Sequence, residues 1–132
     1  MGKYYTIPEN NVFIEHVIKR FSKYLEDRGY SVTSTKNIKF NCEIIYSNDN
    51  RRIEIKNNYD YTDYGFSVFI FETQKNEYNI LANVPFGEED KECAFIDKAA
   101  DFLLNDPEID ALISGKMWKE FNKIFYWIRE NY

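Results

Sequence analysis

Apolar positions first recur with a helical period. Phe13, Val17, Phe21 and Tyr24 are spaced three and four residues apart, and Ile14, Ile18 and Leu25 widen the stripe, so this segment predicts a helix with one buried face. Thr6 followed by Glu9 fits a capping box, Pro8 suits a first turn in which its missing N–H is no loss, and Gly29 supplies a left-handed stop. Glu15, Lys19, Lys23 and Glu26 fall on the solvated side as spaced charge pairs.

From Tyr30 onward the period becomes two. Ile38, Phe40, Cys42, Ile44 and Tyr46 face one way and Lys39, Asn41 and Glu43 the other, the pattern of a half-buried strand. Turn formers from Ser47 to Asn50 precede a second alternation, in which Arg52, Glu54 and Lys56 oppose Ile53 and Ile55; together they predict a hairpin. A third strand covers Phe66 to Glu72 and a fourth Tyr78 to Val84, joined through Thr73 to Glu77, and Tyr30 to Thr35 can add a short edge strand. Phe66, Val68 and Ile70 alternate with Ser67, Phe69 and Phe71, so the third strand is expected to be central or covered on each side, with the helices as the cover.

Pro85 and Gly87 end the sheet. Cys93, Ile96, Ala99, Ala100 and Leu103 form the buried stripe of a second helix, and Asp106 before Pro107 marks the start of a short third one that stops near Ser114 and Gly115. Trp118, Phe121, Phe125 and Ile128, broadened by Met117, Ile124 and Trp127, predict a last helix near Lys116 to Glu130. The fold class is therefore α+β: an N-terminal helix, an antiparallel meander of four or five strands, and two or three C-terminal helices packed on the sheet. No linker, low-complexity tract or repeat divides residues 1–132, which are read as a single domain.

Composition narrows the classes of function. The chain has 132 residues, 44% hydrophobic and 18% aromatic, enough to bury one core. Asp plus Glu number 22 against 17 Lys plus Arg, a net charge of -5, so the overall field repels a phosphate backbone; nucleic acid is not the expected partner, and a basic protein is. Met1 to Thr6 does not open a signal sequence, and no apolar run approaches the roughly 20 residues needed to cross a bilayer, so the expected location is cytoplasmic. Cys42 and Cys93 each lie on an apolar face and read as reduced structural thiols.

Catalytic patterns are scarce. His16 is the only histidine, which removes two-histidine metal sites, and it reads as a surface or boundary residue of the first helix. Neither cysteine belongs to a C-x-x-C pair. Ser114, Gly115 and Lys116 share the end of a phosphate-loop motif without its upstream glycine, and no G-x-G-x-x-G occurs. No cofactor, metal or enzymatic activity is expected.

Two segments remain as candidate contact sites. Glu88, Glu89 and Asp90, with Glu92, precede the second helix, where acidic residues also complement a helix N-terminus. Tyr59, Asp60, Tyr61, Asp63 and Tyr64 crowd the connection between two strands; it can be a hairpin loop with tyrosines folded over the sheet edge, or a binding loop whose aspartates meet Lys or Arg of a partner.

The opening helix closing with Tyr24, Leu25 and Gly29, the hairpins around Cys42 to Tyr46 and Phe66 to Phe71, and the terminal helices together resemble the small cytoplasmic immunity proteins of bacterial polymorphic-toxin and contact-inhibition systems. The resemblance covers element order, composition and size across most of the chain. It implies a binding protein, monomer or homodimer, that neutralises a cognate bacterial toxin domain by stoichiometric protein–protein contact. The alternative is an acidic secretion chaperone or adaptor; those place a helix between the third and later strands, and Thr73 to Glu77 is too short to hold one.

Overall fold

The computed structural model describes residues 10–38, 41–59, 64–84, 94–120 and 125–126, with no description of the side chains of Tyr59, Tyr64, Ala94, Phe125 and Tyr126. The first helix, α1, spans Asn10–Glu26 and buries Phe13, Val17, Phe21 and Leu25, the stripe expected from its spacing. Gly29 closes it with a φ of +88°. The Thr6–Glu9 capping box lies outside the described residues.

Five strands follow as an antiparallel meander: β1 (Ser31–Ile38), β2 (Asn41–Ser47), β3 (Arg51–Tyr59), β4 (Tyr64–Glu72) and β5 (Glu77–Val84). Then come α2 (Ala94–Leu103), α3 (Pro107–Ile113) and a two-residue strand β6 (Phe125–Tyr126), which pairs in parallel with β5 through Ala82 and Asn83. The α+β architecture agrees with the sequence expectation. Among the described residues no helix is long and apolar enough to cross a membrane.

The helices cover one face of the sheet. Cys42, Ile44 and Tyr46 of β2, Ile53 and Ile55 of β3, and Phe66, Val68 and Ile70 of β4 are buried there against the α1 stripe, Phe95, Ile96, Ala99, Ala100 and Leu103 of α2, and Ile109, Leu112 and Ile113 of α3. The Phe66 ring lies 6.1 Å from that of Phe13 and 5.1 Å from that of Phe95, joining the sheet to both helices through offset aromatic contacts.

Polar groups fix the helices over this core. Asp97 of α2 accepts from Arg20 Nη1 at 2.8 Å and pairs with His16 Nε2 at 2.8 Å, while Arg20 Nη2 reaches Asp101 at 2.7 Å, so α1 and α2 are braced by one network. Asp106 caps α3, accepting from the Glu108 and Ile109 amides at 2.8 and 3.1 Å, with Pro107 at the first helical position.

Three expectations change, and one lies outside the described residues. The edge strand β1 runs to Ile38, which is 57% exposed and belongs to β1 rather than to the strand of Cys42; all eight β1 residues are exposed. Phe40 and Cys93 lie outside the described residues. β4 is central, yet helices cover only one of its faces, leaving Phe69 and Phe71 half-buried on the other. Finally, the predicted helix near Lys116 to Glu130 is not formed where it is described: residues 117–120 are irregular and Phe125–Tyr126 is a strand. The physical reason is local. Asn79 Nδ2 donates to the Lys119 carbonyl at 2.9 Å and Trp118 Nε1 to Glu77 at 2.9 Å, tying this segment to β5.

Candidate functional site

Side-chain alternation sends every second residue of the meander to the face without helices. Register then assembles cross-strand rows on it. One row runs Ser47, Arg52, Phe71, Tyr78; the next runs Ser34, Ile45, Glu54, Phe69, Ile80; a third runs Lys36, Glu43, Lys56, Ser67, Asn83. The register slips once between β4 and β5, where Val68 opposes Ala82 and Phe69 opposes Ile80, leaving Leu81 as the extra residue. That bulge is what lets Ala82 and Val84 face the core while Tyr78 and Ile80 stay on the open face.

Phe69, Phe71 and Tyr78 form a three-ring cluster on this face. Centroid separations are 6.2 Å for Phe69–Phe71, 5.9 Å for Phe69–Tyr78 and 5.6 Å for Phe71–Tyr78. Tyr78 is 58% exposed, a large apolar ring presented to solvent from a strand. The Arg52 guanidinium lies over the Phe71 ring at 4.2 Å and Lys56 Nζ over the Phe69 ring at 5.3 Å.

The charges form a ladder beside the rings. Glu54 accepts from Arg52 Nε at 2.6 Å and pairs with Lys56 Nζ at 3.0 Å, and Lys56 also approaches Glu43 at 3.8 Å. The carboxylates sit deeper than the cations: side-chain exposure is 10% for Glu54 and 18% for Glu43, against 24% for Lys56 and 38% for Arg52. Lys36, opposite Glu43 on β1, is exposed as well. In these pairs the cations are therefore the more exposed members, beside the exposed Tyr78 ring.

Beside Tyr78, a cleft of about 500 Å³ opens between the β4–β5 turn and the Trp118–Glu120 segment. Its wall is held by the Trp118–Glu77 hydrogen bond and by the 3.6 Å pairing of Lys119 with Glu108.

The residues singled out from sequence fall differently. Tyr59 and Tyr64 are paired at the end of the β3–β4 hairpin, with their side chains not described. Asp60, Tyr61 and Asp63, and likewise Glu88, Glu89 and Asp90, lie outside the described residues. The strand ends from which these two segments depart are at the same end of the sheet, since Asn58 pairs with Gly65 and Phe66 with Val84. Phe69, Phe71, Tyr78, Arg52, Glu54 and Lys56 were not identified as a site by sequence. The available signal was the doubly apolar Phe66–Phe71 strand beside the charged alternation of Arg52, Glu54 and Lys56; the missing element was register.

Chemically the open face offers contact. His16 is engaged in the α1–α2 brace, burial pushes the Cys42 thiol up to about 11, and among the described residues no group of three or more His, Cys, Asp or Glu is placed to hold a metal. No protein-family model, curated protein or solved structure matches the chain.

Proposed function

We propose that this chain is a cytoplasmic, non-enzymatic binding protein that neutralises a cognate bacterial toxin by stoichiometric protein–protein contact. The observation that carries the reading is the open sheet face, on which Phe69, Phe71 and a solvent-exposed Tyr78 are flanked by Arg52. Aromatic and arginine side chains clustered on a rigid surface are the residue types that dominate protein–protein binding energy. Rigid strands also spare a binding surface the entropy of ordering loops on contact. The acidic residues Asp60, Asp63, Glu88, Glu89 and Asp90 supply a second candidate region for a basic toxin domain, in keeping with the net charge of -5.

The test is to look for a toxin domain encoded beside this chain and to co-express the two. A one-to-one complex and rescue of growth are expected; failure of both to appear overturns the reading.

A further inference from the structure

We infer that the open sheet face receives an acidic segment of a partner protein that carries apolar side chains beside its carboxylates, so that the sign of charge at this contact is opposite to the sign predicted by the net charge of the chain. The inference rests on the reading of this face as a contact surface and specifies what meets it.

The case is one of local charge. Among the described residues, the face carries three cations, Lys36, Arg52 and Lys56, and two carboxylates, Glu43 and Glu54. In each of these pairs the cation's side chain is more exposed than the carboxylate's, and Lys36 is exposed as well. A Debye length of about 8 Å at physiological salt confines the influence of more distant acidic groups, and the contact is decided by what lies on the face itself. Arg52 uses Nε on Glu54, and no hydrogen bond takes up its two terminal nitrogens in the described geometry: these are the donors that a carboxylate of the partner would take. Beside the cations, on β4 and β5, the surface is apolar, made by Phe69, Phe71, Tyr78 and Ile80, and calls for an aliphatic or aromatic group next to the carboxylates of the incoming segment.

Single-stranded nucleic acid also takes cations and rings on a sheet. Here two of the three rings already carry a cation, Arg52 over Phe71 and Lys56 over Phe69, which leaves Tyr78 as the one exposed ring of the cluster and no run of open rings on which successive bases would stack. The protein segment is the occupant that keeps both cation–ring contacts in place.

The test uses the full chain, isotope-labelled for NMR, titrated with a glutamate–tyrosine copolymer, a lysine–tyrosine copolymer and oligo(dT). The glutamate–tyrosine copolymer should give saturable shifts at Arg52, Phe69, Phe71 and Tyr78, with half-saturation roughly tenfold higher for the Arg52→Gln/Lys56→Gln chain. Tyr78→Ser, at an exposed position, should weaken binding in the same direction and serves if the double variant does not fold. Equal or tighter response to the lysine–tyrosine copolymer, tighter response to oligo(dT), or shifts confined to other surfaces overturns the inference. The two proposals separate on the toxin complex. A toxin complex unaffected by Arg52→Gln/Lys56→Gln sinks this inference and leaves neutralisation standing. Copolymer binding at the face by a chain that neither binds the toxin nor rescues growth does the reverse.

Discussion

Arg51, at the start of β3, donates through Nη1 to the carbonyl of Leu112, in the last turn of α3, at 2.6 Å. One residue on, the Ile113 carbonyl accepts from the Tyr30 hydroxyl at 2.6 Å. Carbonyls at a helix C-terminus have no intrahelical partners and carry the negative end of the helix dipole, so a guanidinium and a phenol are suited to receive them. Arg51 Nη2 also pairs with Glu72 at 3.2 Å, and the Trp118 ring lies 5.1 Å away. Burial pushes the Tyr30 hydroxyl up to about 12, which keeps it a donor throughout the physiological range.

Because Arg51 and Glu72 are 6% and 9% exposed at their side chains, removing one leaves the other buried without its counter-charge. Arg51→Met should destabilise the fold by about 3–5 kcal/mol, and adding Glu72→Leu should recover part of that loss. Urea unfolding of the two variants checks this. A single variant within about 1 kcal/mol of the parent would show that the pair is not needed for stability.

Asp110 accepts from the Tyr24 hydroxyl at 2.6 Å and from Arg28 Nε at 2.7 Å. The Tyr24 hydrogen bond, followed by Arg28, holds the carboxyl below its ordinary 3.8 in spite of burial. A depressed folded-state pKa contributes stability that is complete above the unfolded value and lost as pH falls through the folded one. Asp110→Asn should therefore flatten the acid limb of a stability–pH profile. Parallel acid limbs for parent and variant would remove Asp110 from that role.

Cys42 is fully buried, with its Sγ 3.8 Å from the Asn10 carbonyl. In a Cys93→Ser chain, a disulfide reagent at neutral pH should label Cys42 only as fast as the protein opens, because thiolate is scarce and access is closed. Labelling of the native chain at the rate of a free thiol would contradict this.

Asp106 satisfies two amides that α3 cannot satisfy internally. Asp106→Ala should cost about 1 kcal/mol, with Asp106→Ser recovering most of it. The comparison is made by denaturant midpoint, and equal losses for alanine and serine would argue against a capping role.

Tyr78→Ser should leave the denaturant midpoint nearly unchanged, since the ring is 58% exposed, while lowering affinity for the toxin domain roughly tenfold. A variant with parental affinity would remove the ring cluster from the contact.

The elements that the sequence made legible are those with a local cause. Phe13, Val17, Phe21 and Leu25 repeat at one period only, and Asp106–Pro107 is a start signal that needs no tertiary information. The segment from Ile124 to Ile128 is apolar at every position, which satisfies helix and strand spacing equally; the Phe125–Tyr126 pairing with β5 is a tertiary choice. The open face was hidden for a different reason. Arg52, Phe71 and Tyr78 become neighbours only through the registers of two strand pairs, and the second contains a bulge. The inward position of Arg51 could have been extended from the alternation of Ile53 and Ile55, yet its charge weighed against a buried assignment.

The junction of Phe13, Phe66 and Phe95 orders events during synthesis. α1 is made before every element that covers it: β2 follows first, and the Phe66 and Phe95 rings that meet Phe13 come only with β4 and α2. The meander can close hairpin by hairpin as it emerges, but the nascent helix must wait for non-local partners. Until then the stripe of Phe13, Val17, Phe21 and Leu25 is only partly covered, the kind of transiently exposed apolar surface that favours association during folding.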